Sequence, residues 1–115
     1  MALLEENLEH LNVLLLESTD ETITTLLSRE VVEALYVHLQ KVHSIPKDEV
    51  PYKLETLCSV LERTFGLSSS RTICKAIARR LFAKLGLTFI NNPRKTLLEY
   101  VEEAKIELRE RGTQL

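Results

Sequence analysis

Apolar residues recur at spacings of three and four along nearly the whole chain, and no segment reads as a strand with a partner to pair with. That period belongs to helices that bury one face. It constrains the chain to an all-α fold. Leu4, Leu8, Leu11 and Leu15 form the first seam, widened by Leu3, Val13, Leu14 and Leu16. Two heptads fall short of the three or four that specify a coiled coil. The seam therefore reads first as core and second as a homodimer interface. On the dimer reading, deletion of residues 2–17 leaves a folded monomer.

The breaks between periodic segments carry helix-end chemistry. Ser18, Thr19 and Asp20 open the Thr-rich stretch "STDETITTLL", which reads as a short helix or a linker. Ser28 suits the N-cap of a helix whose inward face is Val32, Leu35, Tyr36, Leu39 and Val42 or His43. Pro46 and Pro51 prevent its continuation. The next helix carries Leu54, Leu57, Cys58, Leu61 and Phe65 inward and stops at Gly66. Ser69 or Ser70 is placed to cap a basic helix that ends at Gly86. Asn91, Asn92 and Pro93 signal a turn, and Thr96 with Glu99 completes a T-x-x-E capping box for the last helix, which Gly112 closes. These marks predict a compact single-domain helical bundle of four main helices plus a short extra helix. Residues 1–27 read as the Leu-rich N-terminal helix and Thr-rich linker, and residues 28–112 as the helical domain. The expected core is Leu35, Leu39, Leu57, Leu61, Phe65, Ile73, Ile77, Leu81, Leu85, Tyr100 and Val101.

A chain of 115 residues is one domain's worth and can bury a real core. No apolar run reaches the ~18 residues of a membrane span, and the N-terminus lacks the basic and apolar regions of a signal peptide. A cytoplasmic protein without a membrane partner is expected. Cys58 and Cys74 show no zinc spacing and fall on apolar helix faces. They read as two buried small hydrophobes or as a disulfide joining two helices.

Charge is unevenly spread. Residues 1–66 hold 12 acidic and 5 basic side chains, whereas residues 67–95 hold 7 basic and none acidic. At about 100° per residue, Ile73, Cys74, Ile77, Ala78, Leu81, Phe82 and Leu85 share one side of the basic helix. Lys75, Arg79 and Arg80 point away from it, and Lys84 lies at the edge of the apolar arc. Ser70, Arg71, Lys75, Arg79, Arg80, Arg94 and Lys95 are the candidate interaction residues. Such a face serves an acidic protein partner, a nucleic acid, or the acidic half of its own chain. The sequence around "FGLSSSRTICKAIARRL" also has the outline of a helix-turn-helix, with residues 70–85 as the DNA-reading helix. Glu62, four residues before the glycine, and a turn about one residue too long depart from that motif. A sequence pI near 5.9 is far from that of an obvious nucleic-acid binder.

Catalytic patterns are wanting. His38 and His43 lie five apart, which does not align them as an i, i+4 metal pair, and His10 sits on another helix. No glycine-rich phosphate loop occurs, and Ser68, Ser69 and Ser70 have no histidine placed to activate them. No enzyme activity, cofactor, metal or small-molecule substrate is expected.

"ALYVHLQKVHSI", "LCSVLERTFG", "AIARRLFAKLGLTF" and "TLLEYVEEAK" follow one another in an order that resembles a small all-helical archaeal family described as the Nitrosopumilus output domain. The resemblance covers residues 28–106 and leaves the first helix outside. Its most specific pieces, Phe65-Gly66, "KLGL" and "EYVEEAK", carry packing and helix-end chemistry. It implies a module placed with sensory or regulatory domains that acts by binding another macromolecule. An archaeal thermophile as source would favour the Cys58–Cys74 disulfide. The expected function is a non-enzymatic regulatory or adaptor module that binds a protein partner, with homodimerisation through the first helix. The alternative is a DNA-binding transcriptional or chromatin-associated regulator.

Overall fold

The computed structural model describes residues 2–113, with side chains for residues 9–111. Among them every regular element is a helix. These are α1 (Ala2–Leu26), α2 (Arg29–His43), a 3-10 helix (Lys47–Tyr52), α3 (Leu54–Phe65), α4 (Leu67–Leu85) and α5 (Leu97–Thr113). The all-α architecture follows from the apolar period. None of these helices is long and apolar enough to cross a membrane.

The Thr-rich stretch is the second half of α1, not a linker. The hydroxyls of Ser18, Thr19 and Thr25 donate to the carbonyls of Leu14, Leu15 and Glu21, at 2.7, 2.8 and 2.7 Å. These bonds, four residues back, let the hydroxyls enter the helix without lost partners. Ile23, fully buried, anchors the far end. Leu11 and Leu15 are also fully buried and belong to the domain's own core. That removes them from a dimer seam; Leu4 and Leu8 lie outside the described side chains.

α4 is the central helix and packs on α1, α3 and α5, with α1 its most extensive neighbour. Ile77, Ala78, Leu81 and Phe82 are fully buried. Phe65 and Leu85 pack against the core from half-buried positions; the other expected core residues lie inside it. The proline-containing link after α2 winds into the 3-10 helix and buries Val50 and Pro51.

Helix ends behave as their chemistry demands, with three exceptions. The Ser28 hydroxyl accepts from Val31 N at 3.2 Å. The Thr96–Glu99 box forms both bonds, at 3.0 and 3.2 Å. Gly86 (φ 70°) closes α4 in the left-handed conformation. The first exception is Ser44, which takes that conformation after α2 (φ 57°) without being glycine. The second is α4, which starts at Leu67, so its serines lie in the first turns and none caps it. Only Gly66 (φ 90°, ψ 164°) separates it from α3, a region essentially restricted to glycine. The third is α5, which runs through Gly112 to Thr113.

Two predictions follow from α1. Burial of Leu11 and Leu15 is worth about 3–6 kcal/mol together, against about 5–15 kcal/mol for a whole domain. Deletion of residues 2–17 is expected to abolish the cooperative urea transition, reversing the sequence expectation of a folded monomer. The buried Thr22 Oγ1 has no hydrogen-bond partner among the described residues. Thr22→Val is expected to stabilise the fold by about 1 kcal/mol, read as a higher urea midpoint at unchanged slope.

Candidate interaction surface

The helical period places the cations of α4 at two opposite edges of its apolar arc. Arg80 and Lys84 lie at the edge facing α1. Arg80 Nη1 meets Glu21 Oε2 at 3.2 Å, and Lys84 Nζ lies 3.0 Å from Glu21 Oε1 and 3.7 Å from Glu17 Oε2. Only 26% of the Lys84 side chain is exposed, as expected of a stem laid along apolar surface. Hydrogen bonds from Lys84 and Arg80 hold the Glu21 carboxyl below its ordinary range. The acidic first helix thus matches one flank of the basic helix.

The other edge is different. Arg71, Lys75 and Arg79 follow one another at four-residue spacing and border a shallow depression with Leu67, Ser68, Thr72 and Ala76. None of the three has a carboxylate partner among the described residues. Arg79 instead lies over the Phe89 ring, 5.4 Å from its centroid.

Between this edge, α3 and the start of α5 lies a cavity of about 650 Å³. Leu67, Cys74, Leu97 and Tyr100 supply apolar wall; Arg71, Lys75, Arg94 and Lys95 supply cations; Glu62 is the one carboxylate. Lys95 is engaged by Glu103 at 2.6 Å, which raises its pKa. Arg94, like Arg71 and Lys75, has no carboxylate partner among the described residues.

The segment between α4 and α5 is held by aromatic packing. Phe89 lies edge-on to Phe82 (centroids 5.6 Å) and tilted over Tyr100 (5.0 Å). The Tyr100 hydroxyl accepts from Asn92 N at 2.8 Å and lies within 3.2 Å of the carbonyl oxygens of Ile90 and Asn92, to which it can donate. Asn92 Oδ1 then accepts from Arg94 N at 3.0 Å. One buried tyrosine therefore fixes where Arg94 and Lys95 stand.

Of the candidate interaction residues, Arg71, Lys75, Arg79 and Arg94 stand on this open surface. Arg80 is turned to α1. Ser70 is buried, and its hydroxyl donates to the Cys58 carbonyl at 3.4 Å, so it is not a surface residue. Sequence reasoning missed the cavity, because its walls come from α3, α4 and the start of α5, and no local pattern gives how those helices pack. It also missed Phe89 and Glu103, whose partners Arg79 and Lys95 lie ten and eight positions away.

The cysteines meet in the cavity wall. Cys58 Sγ and Cys74 Sγ are 3.3 Å apart as free thiols. The contact with the Cys58 sulfur holds Cys74 below the ordinary thiol range, although burial opposes it. The same contact and burial push Cys58 up. His38 and His43, five apart, do touch, edge-on at 5.4 Å.

No protein-family model matches the chain, and no curated protein or solved structure does either.

The Glu21 cluster gives a pH prediction. A carboxyl whose folded pKa is depressed contributes stability above its unfolded pKa and loses it as pH falls through the folded value. Urea midpoints of Glu21→Gln should lie below those of the unsubstituted chain near neutral pH. The two curves should converge in acid, below the ordinary carboxylate range of about 4.

Proposed function

We propose that the chain is a non-enzymatic regulatory or adaptor module that docks an acidic segment of a protein partner along Arg71, Lys75 and Arg79, with Arg94 across the cavity. The observation that carries this reading is the sorting of cations. Arg80 and Lys84 already face carboxylates, whereas these four do not. Unmatched cations around an apolar-walled cavity suit a ligand that brings both carboxylates and apolar side chains. Four-residue steps along a helix rise about 6 Å. Alternate side chains of an extended peptide rise about 6.6 Å, so an extended segment with acidic residues at every second position keeps step with the row. The resemblance to an output-domain family supports a binding role in the same general sense.

The DNA-reading alternative uses the same arginines. A one-residue junction at Gly66 and a buried Ser70 weigh against it, since a helix-turn-helix needs a longer turn and an accessible start to its second helix.

The test is fluorescence anisotropy with a labelled peptide alternating Glu with Leu and Phe, run beside mixed-sequence duplex DNA. The peptide is expected to bind, and Arg71→Glu with Lys75→Glu to weaken it at least tenfold, or about 1.4 kcal/mol. Lys41→Glu, on the exposed side of α2, should leave affinity unchanged. Duplex binding that falls ~10³-fold between about 50 and 200 mM salt would instead establish phosphate contacts and replace this reading.

A further inference from the structure

The cavity wall holds a chemical feature that docking does not use. Cys58 on α3 and Cys74 on α4 place their sulfurs 3.3 Å apart. Both line the cavity, Cys58 from a half-buried position and Cys74 from a buried one. Arg71, Lys75 and Arg94 line the same space. Thiolate is the reactive form of cysteine. A disulfide needs the sulfurs at about 2.05 Å, a closure of about 1.2 Å between two packed helices.

We propose that Cys58 and Cys74 form a peroxide-oxidisable dithiol site. One of the two thiols gives its proton to solvent, and its thiolate attacks one oxygen of hydrogen peroxide or a small organic hydroperoxide. An S–O bond forms, the O–O bond breaks, and the departing hydroxide or alkoxide takes up a proton from solvent in place of the one the thiol released. That cysteine is oxidised to the sulfenic acid and the peroxide is reduced. The second sulfur then attacks the first. The S–S bond forms, the S–O bond breaks, and the hydroxyl leaves as water with the second thiol's proton. Two thiols and one hydrogen peroxide give one disulfide and two waters. A dithiol reductant reverses the product by exchange. The 3.3 Å separation puts each sulfur within reach of the other, whichever is oxidised first.

The reduced full chain is titrated with hydrogen peroxide and followed by intact mass and peptide mapping, which separates any oxygen gained at Met1. The expected product has lost the mass of two hydrogens, forms at about one peroxide per chain, and reverts with dithiothreitol. In Cys58→Ser and in Cys74→Ser the remaining cysteine is expected to gain one oxygen that dimedone captures, and no sulfenic acid in either variant would overturn the peroxide step. Two free thiols surviving in the folded chain, at a dose that oxidises the urea-unfolded chain, would overturn the site itself, as would a disulfide-linked dimer as the main product. The first arm uses the unsubstituted chain, so the outcome does not depend on either variant folding.

Discussion

The seam between α1 and α4 decides most of what this chain presents to solvent. Two kinds of complementarity coincide there. Leu11, Leu15 and Ile23 bury apolar surface that α4 and its neighbours cover. At the edge of the same seam, Glu17 and Glu21 meet Arg80 and Lys84. The magnitudes assign different tasks to the two. Burial of three large aliphatic side chains is worth several kcal/mol, whereas half-exposed ion pairs add little to stability. Apolar burial holds α1 in place. The ion pairs favour the rotation of α1 that puts carboxylates, not threonines, beside the cations. The acidic half of the chain therefore covers one flank of the basic helix and leaves the other.

The open flank is shaped by Tyr100. Its ring closes the aromatic group with Phe82 and Phe89, and its hydroxyl gathers the backbone of the 90–92 turn. A buried phenol needs such partners, and the turn's carbonyls need a donor. Each satisfies the other. The consequence is positional: Arg94 is held across the cavity from Arg71 and Lys75 by a side chain one turn into α5. A cation placed this way costs less entropy to engage than one on a free loop.

What could be read from the sequence divides along a physical line. Helix class, the inward face of α3, that of α2 as far as Leu39, the burial of Tyr100 and Val101, and the Ser28 and Thr96 caps depend on spacing and local hydrogen bonds, and these were legible; Val42 and His43, at the end of α2, are exposed instead. The fate of "STDETITTLL" was not. Threonines are weak helix formers on their own, and what keeps them helical is burial of Ile23 and Thr19 against other elements, with hydroxyls bonded four residues back. The start of α4 was misplaced for a related reason. Three serines look like caps, yet Gly66 turns the chain in a single residue and the serines enter the helix behind it. The charge asymmetry was visible, but its division into a matched and an unmatched flank was not, because α1 and α4 are 59 or more positions apart at their ion pairs. No local pattern carries that information.

Every side of α4 is in use, and the period of the helix allots the uses. Ile73, Ile77 and Leu81 enter the core. Arg80 and Lys84 belong to α1. Ser70 and Cys74, four apart, face α3, where Ser70 meets the Cys58 carbonyl and Cys74 the Cys58 sulfur. Arg71, Lys75 and Arg79 remain, each one position after a residue already committed or one before it. A helix so constrained cannot rotate to offer a different set of cations without exposing its core or stranding the carboxylates of α1. The open row therefore stands at fixed backbone positions, about 6 Å apart along the helix.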